Sequence, residues 1–183
     1  MNKLFLLIAV SFCASCGVNS RDAVPRSYVK LTRDYLLDAM KNDYMIASGY
    51  GWGLQGRKGE FIISLSREGN YTIEEARIML VAKIEQLLKM INEREDLRPF
   101  LQQYPADISN INFSMDFYLA GEDPYPEPII VYVPLYDDGV IGYNIGERGH
   151  ENMKTLHEEP YEEALQWVKE NAPWALEECL GRT

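Results

Sequence analysis

Several residue types are scarce in this 183-residue chain, and each shortage excludes a class of protein. With two histidines and three cysteines, the chain has few candidates for catalytic imidazoles, metal ligands or disulfides. Basic residues number 18 against 28 acidic ones, which gives a formal net charge of -10. Nucleic-acid binding needs clustered lysine and arginine to displace counterions from phosphate, so no nucleic-acid partner is expected. The same acidity disfavours contact between the protein surface and anionic lipid head groups.

The apolar run at residues 4–12 is too short for a membrane helix. It has about nine residues, against the roughly twenty that span a bilayer. Lys3 precedes the run and small residues follow it, which is typical of a secretion signal. We therefore expect export followed by removal of the first residues.

The four residues Cys13-Ala14-Ser15-Cys16 resemble the lipobox of bacterial lipoproteins. The resemblance implies that Cys16 receives a diacylglycerol and becomes the new amino terminus. Its acyl chains would then hold the protein in the cell envelope. In a double-membraned host, the sorting behaviour of that family with Gly17 after the cysteine, and no Asp there, implies the outer membrane and a domain that faces the periplasm. The expected organisation is a signal peptide over 1–15, a lipidated tether over 16–25 and a single α+β domain over 26–183.

Hydrophobic periodicity predicts the secondary structure. Val29, Tyr35 or Leu36, Ala39 and Met40 recur with rough helical spacing in the first predicted helix. The predicted elements are a helix over 26–42, strands over 44–54 and 60–66, a helix over 72–93, strands over 111–119, 129–136 and 140–145, and a helix from 160 to 173. No repeat and no alternating strand-helix series is present. The sequence therefore predicts an α+β two-layer sandwich, with a mainly antiparallel sheet of about five strands and helices packed on one face.

Such a sheet commonly leaves its other face open to water, and this face is the candidate binding surface. Tyrosine and tryptophan offer large contact areas with a polar group, which suits recognition of a protein, peptide or glycan. The candidate binding residues are Tyr50, Trp52, Asn112, Asp116, Tyr118 and Tyr132. Tyr136 and Asn144 would extend the surface, and the proline-rich loop over 121–128 is a second place where a partner could bind.

Both histidines lie beside a glutamate, and imidazole with carboxylate can bind zinc or perform acid-base chemistry. Glu147 and His150 have the E-x-x-H spacing of a helical metal site. Gly146 and Gly149 nevertheless indicate a loop, and His157 falls in the same solvated region. We assign no metal ligand and no cofactor.

Nucleophilic catalysis finds little support. The candidate nucleophiles are Ser64, Ser66 and Ser114, and no G-x-S-x-G turn exposes any of them. Cys179 lies beside Leu176 and Leu180, which predicts a buried thiol. No catalytic residue is assigned.

Two functions from different classes remain. The first, which we prefer, is a membrane-anchored envelope lipoprotein acting as a non-enzymatic binding or interaction module for an envelope protein or cell-wall component. The alternative is an envelope hydrolase or metal-dependent enzyme centred on His150 and His157. Segments 72–118 and 157–167 are similar to parts of small bacterial lipoproteins, a resemblance that implies no activity.

Overall fold

A computed structural model describes residues 24–53, 59–121, 129–146 and 152–181. Within these ranges, four α-helices and six strands follow one another along the chain. They are α1 (Arg26–Asn42), β1 (Ile46–Trp52), β2 (Phe61–Glu68), α2 (Ile73–Asn92), β3 (Ile111–Tyr118), β4 (Ile129–Pro134), β5 (Val140–Gly146), β6 (Lys154–Pro160), α3 (Tyr161–Asn171) and α4 (Pro173–Gly181). Two 3₁₀ turns, Glu95–Phe100 and Ile108–Asn110, lie between α2 and β3.

The six strands form one sheet in which spatial order follows chain order. Every neighbouring pair is antiparallel except β2 and β3, which are parallel. Parallel neighbours need a long crossover, and α2 lies in the connection between these two strands. The helices cover one side of the sheet, so the predicted α+β class is confirmed.

Helix α2 carries the strongest local signals and lies where the sequence predicts it. The Thr72 hydroxyl accepts from the amide of Glu75, and the Glu75 carboxylate accepts from the amide of Thr72. This capping box satisfies amides that the first helical turn leaves without partners. The inward stripe of the helix is fully buried and consists of Ala76, Leu80, Ile84, Leu87 and Ile91. It packs against the helix-facing residues of the sheet, among them Phe61, Ile63, Leu65, Phe113 and Met115.

The sixth strand corrects the predicted count of about five. The region of His157, Glu158 and Glu159 was expected to be a solvated turn, but Lys154–Pro160 pairs with β5 along the sheet edge. Within this strand only Glu159 is buried. An edge strand with charged side chains on both faces lacks hydrophobic alternation, which explains why the pattern did not indicate a strand.

Strand β1 contains a bulge that the sequence pattern did not indicate. The register with β2 shifts between Ala47 and Gly49. One extra residue reverses the direction in which the following side chains point. Side chains therefore do not alternate strictly along β1: Ile46 lies on the open side, whereas Trp52 lies on the helix side.

The inward face of α1 agrees with the prediction in part, since Tyr35 and Ala39 are buried as predicted. Val29 and Met40, expected on its apolar stripe, are both exposed. The residues that α1 buries are Tyr28, Leu31, Thr32, Tyr35, Leu36 and Ala39. Cys179 in α4 is buried, as predicted. Among the described helices, none combines the length and the apolar character that crossing a membrane requires.

Candidate functional site

The open side of the sheet brings together polar residues from β2, β3 and β4. Along β3, Asn112, Ser114 and Asp116 alternate with buried Phe113 and Met115, so the polar set points away from the helices. Ser114 pairs with Ser64 of β2, and Asp116 pairs with Tyr132 of β4. Directly opposed residues in neighbouring strands share a face, so these side chains form one continuous surface.

Two serines contact the carboxylate of Asp116 on this surface, and a third serine contacts one of them. Ser64 Oγ donates to Asp116 Oδ2 at 3.2 Å, and Ser114 Oγ donates to Ser64 Oγ at 2.9 Å. Ser48 Oγ lies 3.0 Å from Ser64 Oγ and 3.2 Å from Asp116 Oδ2, and its single proton can serve either oxygen. We call Ser48, Ser64, Ser114 and Asp116 the serine-aspartate cluster. Ser114 is buried, so Ser48 and Ser64 are the members whose hydroxyls can rotate to donate to a ligand or to accept from it.

The β1 bulge is what brings Ser48 into this cluster. The extra residue allows Ser48 to reach the open side, where Gly49 also pairs with Ser64. The sequence analysis considered Ser64 only as a nucleophile, placed Ser114 on the polar side of its strand without making it a binding residue, and gave Ser48 no role in a site. The one available signal was a glycine inside a strand, which often marks a bulge.

Tyr132 connects the cluster to the rest of the open side. Burial raises the pKa of its phenol, the hydrogen bond with Ser114 lowers it, and the negative charge of Asp116 raises it again. The net result is a pKa above the ordinary tyrosine value. Tyr132 therefore remains a neutral phenol at physiological pH and can donate or accept a hydrogen bond.

A groove of about 450 Å³ begins beside Tyr132. Its lining residues are Asn112, Tyr132, Pro134, Leu135, Tyr136, Asp137 and Asp138. The ring of Tyr136 lies over Gly142 of β5, where an added Cβ would come within 2.8 Å of Cε2 and of the hydroxyl oxygen. A glycine at that position therefore lets an aromatic ring approach the sheet closely. Every charged side chain that lines the groove is acidic.

Of the six candidate binding residues, the structure places four on the open side and two elsewhere. Tyr132 lies opposite Asp116 and lines the groove together with Asn112, which is about 13 Å from Asp116 along β3 at about 3.3 Å per residue. Tyr118 shares their face but ends β3, roughly 20 Å along the strand from Asn112 at about 3.3 Å per residue. Trp52 packs on the other side, with its ring centroid 4.8 Å from that of Tyr28 and 5.2 Å from that of Phe61.

Tyr50 and Asn144 also differ from their expected roles. Tyr50 pairs with buried Ile63, which places it on the helix side at the edge of the sheet. Asn144 is on the open side but buried: its amide donates to the carbonyl of Tyr132 at 3.2 Å, and its oxygen accepts from Thr155 at 2.9 Å. Asn144 therefore joins three strands together and does not offer its amide to a ligand.

The histidine centre is not assembled in the part of the chain that the structure describes. His157 is exposed, and its ring stacks on Tyr143 with centroids 5.6 Å apart. Tyr143 belongs to the helix side, where its hydroxyl donates to Glu159. His150 lies outside the described residues, as do Glu147 and the proline-rich segment over 122–128. No group of three or more His, Cys, Asp or Glu residues suited to a metal ion occurs among the described residues.

Comparisons with models of protein families, with curated proteins and with solved structures find no match to this chain. A function must therefore be argued from the residues of the site.

Proposed function

We propose that this protein is a non-enzymatic binding module that holds its ligand on the open side of the sheet. One observation carries the proposal: the helices cover one side, and the other side presents the serine-aspartate cluster beside the aromatic groove. Hydroxyl, amide, carboxylate and aromatic groups together form a recognition surface. The serines lack what nucleophiles need, since no imidazole among the described residues lies next to them.

The chemistry of the surface selects the class of ligand. Asp116, Asp137 and Asp138 make it electronegative, which disfavours anions. Tyr132 and Tyr136 supply flat apolar area, and the serine hydroxyls and Asn112 supply hydrogen-bond donors and acceptors. The ligand is a neutral or cationic molecule rich in hydroxyl or amine groups, such as a cell-wall glycan or a basic segment of an envelope protein.

The proposal includes a lipid anchor at Cys16, which lies outside the described residues. Its support is the resemblance of residues 13–16 to a lipobox. The ten residues from Cys16 to Pro25 would extend at most about 35 Å, so the domain would stay close to its membrane. In a double-membraned host this places the domain at the outer membrane, facing the periplasm.

Site-specific photocrosslinking tests the binding function. A photoreactive amino acid at Asn112 should capture one envelope partner, whereas the same amino acid at exposed Glu163 on α3 should not. Combining Tyr136→Ala with Asp116→Asn should reduce capture at least tenfold, since both the aromatic platform and the charge are removed. Gln166→Ala on α3 is the matched control. Equal capture from Asn112 and Glu163 would contradict the proposal.

Mass spectrometry of the protein from its native host tests the anchor separately. The expected amino-terminal residue is Cys16 carrying acyl chains, and Cys16→Ala should release the protein from membranes. An unmodified Cys16 would remove the anchor and the assigned location, and would leave the binding surface untouched.

A further inference from the structure

The outward face of α1 combines exposed apolar side chains with cations. Val29, Leu37 and Met40 are 41%, 54% and 41% exposed, although apolar side chains of this size are usually buried in helices. The basic residues of the helix are Arg26, Lys30, Arg33 and Lys41, and all four are exposed. At 100° per residue these seven side chains occupy one continuous arc, opposite the buried residues of the helix. We call them the α1 outer face.

This face is positively charged in an acidic protein. Helix α1 has four basic and two acidic residues, whereas α2 is balanced and both α3 and α4 are net negative. Asp38 points away from the face, since its Oδ2 accepts from Gln86 of α2 at 2.9 Å. Asp34 is bonded to Arg33 at 3.0 Å. On α1 itself, four cations and one acid therefore face outward. Asp96 is hydrogen-bonded to Ser27 and ion-paired with Arg94 at 2.9 Å, so this pair adds no net charge beside the face.

Salt limits how far the acidity of the remaining protein opposes this charge. The Debye length is about 8 Å at physiological ionic strength, so exposed charges further away are largely screened. The repulsion from anionic lipids that the whole-chain charge predicts therefore does not extend to the α1 outer face. Local charge decides what this surface binds.

Tyr44 extends the same chemistry beyond the end of the helix. It lies in the turn between α1 and β1, is 82% exposed, and has a left-handed backbone with φ of 56°. Tyrosine is enriched where one end of a side chain meets lipid and the other meets water. The helix is about 25 Å long at 1.5 Å per residue, enough for several lipid head groups to contact it at once.

We propose that the α1 outer face lies flat on an anionic bilayer surface. Lysine and arginine interspersed with apolar side chains match an interface where head-group phosphates lie above acyl chains. The face is separate from the open side of the sheet, so the inference does not rest on the proposed ligand binding. An anchor at Cys16 would bring α1 to the membrane, but the chemistry of the face belongs to α1 alone. Membrane contact leaves the open side of the sheet free for a ligand.

Lysine acylation of the full chain on vesicles tests the inference. The protein is mixed with an excess of phosphatidylcholine vesicles with or without phosphatidylglycerol, and labelling is read by mass spectrometry. Lys30 and Lys41 should react at least threefold more slowly on the anionic vesicles, and salt should restore their reactivity. Lys154 and Lys169 lie on β6 and α3 and should react equally on both.

Two variants keep both α1 lysines as reporters. Arg26→Gln with Arg33→Gln should weaken the contact about fivefold per cation removed, and Leu37→Ser with Met40→Ser should abolish the protection. Lys154→Gln with Lys169→Gln is the matched control, and far-UV circular dichroism checks that each variant is folded.

The outcomes separate this inference from its competitors. Equal labelling of Lys30 and Lys41 on both kinds of vesicle would overturn it. Protection on native membranes but not on protein-free anionic vesicles would also overturn it, and would indicate a protein partner. Neither result would affect capture at Asn112, which tests the binding function.

Discussion

Glu159 is a buried carboxylate that holds three elements together. It accepts from Arg77 Nε of α2 at 2.7 Å and from the Tyr143 hydroxyl of β5 at 2.5 Å. The guanidinium of Arg77 also lies 4.6 Å from the ring centroid of Trp167 on α3. Burial lowers the pKa of Arg77, but hydrogen bonding and the charge of Glu159 outweigh it and leave that pKa above its usual value. Arg77 therefore stays charged beside the buried carboxylate of Glu159, and each side chain needs the other.

Removing one member of this pair should destabilise the protein strongly. Glu159→Ala leaves a buried guanidinium without its counter-ion, and we expect the free energy of unfolding to fall by about 3 kcal/mol. Arg77→Leu with Glu159→Leu should cost less than the two single changes added together, because no isolated charge remains. Urea denaturation measures both. Glu163→Ala on the exposed surface of α3 is the control. If Glu159→Ala lowers the free energy of unfolding no more than this control does, the stabilising role of the pair is refuted.

Gly142 determines the position of an aromatic ring in the groove. A valine there would force the ring of Tyr136 away from β5, since an added Cβ comes within 2.8 Å of it. The ring is the mobile end of a side chain, so Gly142→Val should change the free energy of unfolding by less than about 1 kcal/mol. Nitration of Tyr136 should become faster and ligand capture should fall. Gly49→Ala on the same side adds only an ordinary 3.5 Å contact with Ser64, so it should change neither the nitration rate of Tyr136 nor ligand capture.

At the scale of elements, the start of α2 offers a direct test of local sequence signals. Thr72→Ala removes the side chain that accepts from the Glu75 amide, and we expect a loss of about 1 kcal/mol in the free energy of unfolding. Thr72→Ser keeps the hydroxyl and should remain within a few tenths of a kcal/mol of the parent. The urea midpoint measures both changes. Equal losses in the two variants would show that the hydroxyl is not what stabilises the helix start.

Elements with local signals could be predicted, and elements defined by their neighbours could not. The capping box and the wide apolar stripe of α2 lie within the helix itself, so its bounds were correct to within one residue. Strand β6 exists because β5 offers it an edge to pair with, and its own residues are those of a solvated loop. In β1, the unpaired residue at the bulge places Trp52 on the helix side. A hydrophobic period of two does not reveal such an extra residue.

The candidate site could be predicted from the sequence only in part, for the same reason. Alternation along β3 is a local pattern, and it placed Asn112 and Asp116 on a common face. Assembly of the serine-aspartate cluster needs the parallel pairing of β2 with β3, which depends on contacts distant in sequence. Ser48 needs the bulge as well. Patterns in a single sequence indicate which side chains of one helix or strand share a face, but they do not indicate the order of strands in the sheet.

At the scale of the whole molecule, buried tyrosines should govern stability at alkaline pH. Burial raises the pKa of Tyr28 to about 12 and raises those of Tyr35, Tyr143 and Tyr161 further. An unfolded tyrosine ionises near pH 10, so the stabilisation is complete below that pH and is lost as the pH rises through the folded values. Each such group can contribute up to about 1.4 kcal/mol per pH unit to the loss.

We therefore expect the fold to be lost cooperatively above about pH 10, together with the delayed ionisation of these tyrosines. Absorbance of the phenolates and far-UV circular dichroism, recorded on the same samples, measure the two events. Tyr35→Phe removes one ionising group and should make the alkaline loss of stability less steep. Ionisation of every tyrosine near pH 10 with the fold intact would contradict the expectation.

The parallel pairing of β2 with β3 also decides when the proposed binding surface forms during folding. Ser64 lies on β2, whereas Ser114 and Asp116 lie on β3, and the whole of α2 separates the two strands in the chain. Pairings distant in sequence close late, after the local elements have formed. The serine-aspartate cluster is consequently absent from a partly folded chain. A ligand that binds only when β2 and β3 are paired shifts the folding equilibrium toward fully folded molecules by mass action. Ligand binding would thus distinguish fully folded molecules from partly folded ones.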